Sequence, residues 1–166
     1  MKFLGIFLVA ICPIIVGFKK SYTLKQNQNK IEKIIDLINW IIYEIKYRKT
    51  ETSTIFKDVI NYEDFKNLEF LTTLKENLKN LPFPVAWENS IDCWECSISQ
   101  NNKTLLKSLS NVLGTTESKG QILNLKQIKL KFEENLKYAK KIYIEKGKLS
   151  RSLGTLLGIA VFIIFI

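Results

Sequence analysis

The stretch "IEKIIDLINWIIYEI", Ile31 to Ile45, decides how the chain is read. Its isoleucines fall at 31, 34, 35, 38, 41, 42 and 45, a three-and-four spacing held for four turns. Lys30, Glu32, Lys33, Asp36 and Asn39 take the other side. Apolar residues at that period line one face of an α-helix, so the stretch predicts an amphipathic helix with a buried isoleucine stripe.

The same pattern continues downstream. A second helix follows "TETST", capped by Thr52 or Ser53, and carries Ile55, Phe56, Val59 and Ile60. A third is expected over Glu63 to Leu81, with Phe65, Leu68, Leu71, Leu74, Leu78 and Leu81 inward, before "PFP", Pro82 to Pro84, stops it. A fourth, Val85 to Ile98, buries Trp87, Ile91, Trp94 and Ile98. A fifth, Lys103 to Leu113, ends at Gly114, a residue suited to a C-terminal cap. The last starts at a capping box formed by Ser118 and Gln121 and carries Ile122, Leu125, Phe132, Leu136, Ala139 and Tyr143, with Gly147 its one weak point. No period-two run argues for a sheet. The fold class is therefore all-α: a bundle of about six helices over residues 24–148.

Outward from the bundle, both ends turn apolar. "FLGIFLVAICPIIVGF", Phe3 to Phe18, carries no charge, and nothing after Arg151 does either. Residues 1–18 and 149–166 would each make a helix of roughly 27 Å at about 1.5 Å per residue, near the lower limit for a hydrocarbon core of about 30 Å. They read as two short terminal transmembrane helices. Lys19, Lys20 and Lys25 follow the first, and Lys146, Lys148 and Arg151 precede the second. The positive-inside rule thus places the middle of the chain in the cytoplasm. A secretory signal over Met1 to Gly17 is the competing reading, but no small-x-small cleavage site follows and Pro13 sits where one would be. Ile11 before Cys12 likewise speaks against a lipoprotein. Ser150, Gly154 and Gly158 recur every fourth residue and would let another helix approach closely within lipid.

Composition narrows the chemistry. The net charge is +9; apart from Lys2, every charged residue lies between Lys19 and Arg151, 24 basic against 16 acidic. Histidine is absent, which removes the commonest general base and metal ligand at neutral pH. The lysines alternate with acidic residues along whole helices, as solvated faces do, so neither nucleic acid nor a small-molecule substrate is expected as a partner. "CWEC", Cys93 to Cys96, is the one chemical motif in view. A redox pair needs a helix N-terminus, usually in a βαβ setting, and a zinc site needs two further ligands. The sequence offers neither, and no cofactor, metal or enzymatic activity is expected. A membrane-anchored thiol redox protein using Cys93 and Cys96 is the alternative.

Four stretches, "MKFLGIFLV" with the following "GF", "YEIKY" (Tyr43 to Tyr47), "LGTTESKGQ" (Leu113 to Gln121) and "KLSRSLGTLLG" (Lys148 to Gly158), together resemble the stage III sporulation protein AB family, in order and over essentially the whole chain. The family pattern near the end is K-x-Y-R-S-L-G-x-L-x-G. Here Ser150 stands in place of the tyrosine, and Gly120 in place of an acidic residue before Gln121. The proline usual after the "EI-Y" helix is missing, and "CWEC" has no counterpart. The resemblance implies a membrane protein of endospore-forming bacteria, in the mother-cell membrane facing the forespore. It implies a channel assembly linking the two cells, with membrane lipid and other small membrane proteins as neighbours. It further implies a central domain similar to the inner-membrane platform protein of type II secretion and type IV pilus machines, which would dock the secretion-type ATPase of the same operon. Polar or charged positions in the matching stretches, Glu44, Tyr47, Gln121 and Arg151, are the candidate partner contacts. Each also has a plainer reading: Glu44 as a solvated residue, Gln121 as part of the capping box, and Arg151 as a side chain reaching for phosphates.

Overall fold

The computed structural model describes residues 2–48, 52–113 and 117–165. All the regular structure among these residues is helical, with no strand: α1 (Lys2–Tyr43), α2 (Thr52–Asn61), α3 (Phe70–Asn77), α4 (Phe83–Asp92), α5 (Gln100–Lys107), α6 (Leu109–Val112), α7 (Ser118–Ile142) and α8 (Lys148–Phe165). Two π-helical turns, Glu44–Arg48 and Tyr143–Gly147, follow α1 and α7, and a 3₁₀ turn spans Glu63–Phe65. The chain divides into two compact units, one of Asn29–Leu136 and one of Met1–Gln28 with Lys137–Ile166. The expected all-α class holds.

The boundaries differ from expectation in instructive ways. The helix of the isoleucine stripe does not start afresh near residue 30; α1 runs unbroken from Lys2. Nothing between Lys19 and Lys30 is a proline or glycine, so nothing there halts a helix. The expected Glu63 to Leu81 helix is instead the 3₁₀ turn plus the eight-residue α3. Amides of Leu68 and Leu71 bond back three residues, to Phe65 and Leu68, each at 2.9 Å. Residues three apart eclipse in such turns, so Phe65, Leu68 and Leu71 all stay inward, whereas an α-helix would rotate them progressively away. Leu78 and Leu81 are only half-buried.

α4 is shorter than expected, opening at Pro82 with Pro84 in its first turn and closing at Cys93. The fifth helix is two pieces, α5 and α6. The first is capped by Ser99, whose hydroxyl accepts the Asn102 amide at 3.3 Å. At the head of α7 the Gln121 amide bonds the Glu117 carbonyl at 3.1 Å, so Glu117 takes the first helical bond and Ser118 is the first helical residue rather than the cap. Gly114 and the side chains of Thr52 and Ser53, the other expected caps, lie outside the described residues.

The core of the Asn29–Leu136 unit is built from the stripe itself, Ile31, Ile34, Ile35, Leu37, Ile38, Ile41 and Ile45, all buried, and from an aromatic cluster. Trp87 is fully buried among Phe56, Phe70 and Phe83, with ring centroids 5.4, 5.4 and 5.7 Å away. Phe56 stacks on Phe83 at 4.1 Å. The Trp87 indole N–H donates to the Leu106 carbonyl at 2.9 Å, which satisfies the one polar group the ring takes inside. Ser90, also buried, donates to Ala86 and accepts from Asn77. From α7, Leu125 and Phe132 are fully buried, while Ile122 and Leu136 are half-buried; in the unit of chain ends Ala139 is buried and Tyr143, in the π-helical turn after α7, is half-buried.

The helical run Ser118–Ile164 contains an 18-residue stretch of mean hydropathy 1.4, long and apolar enough to cross a membrane, with 17% of it buried. Among the described residues this is the one such run. The side chains of residues 2–8 and of Ala10, on which much of the expected N-terminal span falls, lie outside the description.

Candidate functional site

In the unit formed by the chain ends, α1 and α8 meet backbone to backbone. A methyl group placed on Gly17 would run into the Ser150 carbonyl oxygen and lie 3.2 Å from the Gly154 Cα. One placed on Gly154 would lie 2.7 Å from the Pro13 carbonyl oxygen and 3.2 Å from the Gly17 Cα. No side chain larger than hydrogen fits at either position without moving the backbone. One turn on, Gly147 faces the Ser21 hydroxyl and the Tyr143 ring, where a methyl would sit 3.3 and 3.0 Å away. Of the three residues singled out in the sequence, Gly154 makes the contact through its Cα, Ser150 through its backbone carbonyl, and Gly158 is buried. The facing residues, Pro13, Gly17 and Ser21, were missed. Their signal was the same four-residue spacing of compact residues, overlooked in a segment read for its hydrophobicity alone. Lys25 also lies 5.4 Å from the Tyr143 ring centroid in this unit.

Glu44 is not a solvated residue: it is 2% exposed and sits in the first π-helical turn, with Arg48 at 3.4 Å across one turn. Glu44 falls three residues after Ile41 and seven after Leu37, and that continuation of the buried face was the missed signal. A buried carboxylate at the C-terminal end of a helix opposes the dipole, and the Arg48 charge offsets it. Tyr47 is 63% exposed; its ring lies 5.0 Å from that of Tyr43, and its hydroxyl accepts from Lys46 at 3.0 Å. That hydrogen bond, helped by the ammonium charge, holds the phenol below its ordinary 10.0. Gln121 is buried in the first turn of α7, and Arg151 is half-buried in α8, its carbonyl accepting from Thr155 at 2.8 Å.

The "CWEC" segment is organised around its tryptophan. Trp94 is buried, its ring 5.0 Å from Phe70, its indole N–H donating to the Glu69 carboxylate and its carbonyl accepting from Lys103 at 2.5 Å. Lys30 closes the cluster, 3.0 Å from Glu69 and 5.0 Å above the Trp94 ring. Partial burial pushes the Glu69 carboxyl upward, but the bonds from Trp94 and Lys30 outweigh it and hold the group below its ordinary 4.5. Cys93 closes α4 at its carbonyl end. Burial pushes the Cys96 thiol up. That shift runs against nucleophilic or redox chemistry at the Cys96 sulfur, which needs a stabilised thiolate. Among the described residues no group of three or more acidic or cysteine side chains is placed to hold a metal ion.

No curated protein and no solved structure matches the chain. The family model of stage III sporulation protein AB does match, over residues 2–166, essentially the whole length. An all-helical chain with apolar ends, matched from end to end by that model, belongs to the stage III sporulation protein AB family, and membership carries a role in stage III of sporulation.

Proposed function

We propose that this protein is a non-enzymatic membrane scaffold in the assembly that joins mother cell and forespore, where it docks the secretion-type ATPase of the same sporulation operon. Both chain ends span the mother-cell membrane, and the Asn29–Leu136 unit stands in the cytoplasm. The observation that carries the reading is the family match over residues 2–166. Two physical features support it. The terminal helices bring glycines into backbone contact and leave large apolar side chains outward, as helices packed in lipid do. Lysines flank both apolar segments on the side of the central unit, which favours a cytoplasmic centre.

The test is reconstitution of the full chain in lipid nanodiscs with the purified ATPase. The scaffold reading expects the two to co-elute and the chain alone to turn over no nucleotide. ATPase that elutes as though the nanodisc were empty would overturn it. Protease added to intact cells checks topology: cleavage of the central unit from outside contradicts a cytoplasmic centre.

A further inference from the structure

We propose that a lysine-rimmed groove between α2 and the end of α3 is the docking site for an acidic amphipathic segment of a partner protein. The proposal deepens the scaffold reading, and rests on it, by naming a surface and the chemistry it takes. The groove lies wholly within the Asn29–Leu136 unit and measures about 490 Å³, the size of a ligand cleft rather than a flat patch. Its floor is apolar. Ile60, Leu78 and Phe83 are half-buried there, over the buried ring of Phe56. Lys57, Lys75 and Lys79 line the same groove, and no carboxylate does.

The charge arrangement singles out the occupant. Several other lysines of this unit pair with acids, Lys30 with Glu69, Lys66 with Glu63 and Lys107 with Asp92 among them. Among the described residues, none of the three groove lysines has a carboxylate within ion-pair distance; Lys75 reaches only the Asn61 side-chain oxygen, at 3.4 Å. Lys75 and Lys79 are four apart, a spacing at which like charges repel. The carbonyl end of α3 accounts for a cation there, but not for Lys57 in the middle of α2. Three ammonium groups with no carboxylate partner among the described residues, over an apolar floor, match a helix that presents leucine-sized side chains on one face and carboxylates beside them. Such a segment would seat its apolar side chains on Ile60, Leu78 and Phe83 and its acids against the rim.

The experiment uses the full chain in nanodiscs of zwitterionic lipid and a fluorescein-labelled peptide of 18 residues, leucines at helical spacing and glutamates elsewhere. Controls are the same composition scrambled and a lysine-for-glutamate version. Fluorescence anisotropy should show saturable binding of the acidic amphipathic peptide, about tenfold weaker for the scramble and absent for the basic version. Lys57→Glu and Lys75→Glu should each weaken it about tenfold, and circular dichroism should show both exposed-site variants folded. Equal binding of the scramble, equal binding to the variants, or no binding overturns the proposal. So does lysine-dependent binding of phosphatidylglycerol vesicles in place of the peptide, which would assign the groove to lipid headgroups. ATPase capture that persists in Lys57→Glu/Lys75→Glu sinks the groove as docking surface and leaves the scaffold standing. Peptide binding without any ATPase capture supports the groove and sinks only the scaffold's named partner.

Discussion

The two units of the molecule bury opposite kinds of residue. The Asn29–Leu136 unit hides isoleucines, phenylalanines and tryptophans and, Glu44 apart, leaves its described lysines and acids at least partly exposed. The unit of chain ends hides Gly17, Ser21, Gly147, Gly154 and Gly158, while Ile15, Val16, Phe18, Leu153, Leu156, Leu157 and Ile159 face out. In water, apolar burial at about 25 cal/mol per Å² drives association, so large side chains belong inside. In hydrocarbon that drive vanishes, and close backbone contact through small residues replaces it. One chain thus shows two packing patterns, and under the membrane reading proposed above each suits a different solvent.

The contrast can be broken most forcefully at Trp87. Trp87→Ala empties the aromatic cluster and removes the indole donor from the Leu106 carbonyl, and should cost about 3–5 kcal/mol, read as a lower denaturant midpoint of the full chain in nanodiscs. The α1–α8 contact, followed by cysteine cross-linking between the two helices, should survive. Gly154→Leu is the reciprocal change. Overpacking against the Pro13 carbonyl should cost about 1–3 kcal/mol and abolish that cross-link, while the denaturant midpoint of the aromatic unit stays put. If either substitution damages both units equally, the two-rule picture fails.

Finer tests follow. Glu69 is held below its ordinary 4.5, so its stabilising contribution is complete at neutral pH and fades as pH falls through 4.5 toward the lower folded value. Because its side chain is 61% exposed, solvent screening limits that contribution to about 0.3–0.5 kcal/mol. Glu69→Gln should flatten the acid limb of the stability profile by that amount and leave pH 7–9 unchanged in slope. The smallest effect is expected at sulfur: Cys93→Ser with Cys96→Ser should sporulate as the parent does and shift stability by less than about 0.5 kcal/mol. A sporulation defect there would revive the thiol reading.

Helicity and the inward stripe were legible because a 3.6-residue period repeats over many residues, and Ile31 to Ile45 needs no tertiary information to be read. What escaped was decided by geometry that periodicity does not carry. The run Phe65, Leu68, Leu71 is spaced by three, and whether it continues as α-helix or tightens into 3₁₀ turns depends on the surface it packs against. Glu44 looked solvated because a charged residue at a helix end is usually exposed; its registry with Leu37 and Ile41 placed it inside. Half of the glycine contact was seen, at Ser150, Gly154 and Gly158, and its counterpart at Pro13, Gly17 and Ser21 was not. The lysine groove had no signature in sequence, since Lys57 and the Lys75–Lys79 pair come together only through tertiary packing.

All three tryptophans, Trp40, Trp87 and Trp94, belong to the Asn29–Leu136 unit, and the unit of chain ends carries none. Intrinsic emission at the red edge of excitation therefore reports on one unit of the molecule and is blind to the other. Trp94, wedged between an ammonium and a carboxylate, should brighten or dim with that pair, whereas Trp87 should track melting of the aromatic cluster. A dye is needed before any optical melt can speak for the ends.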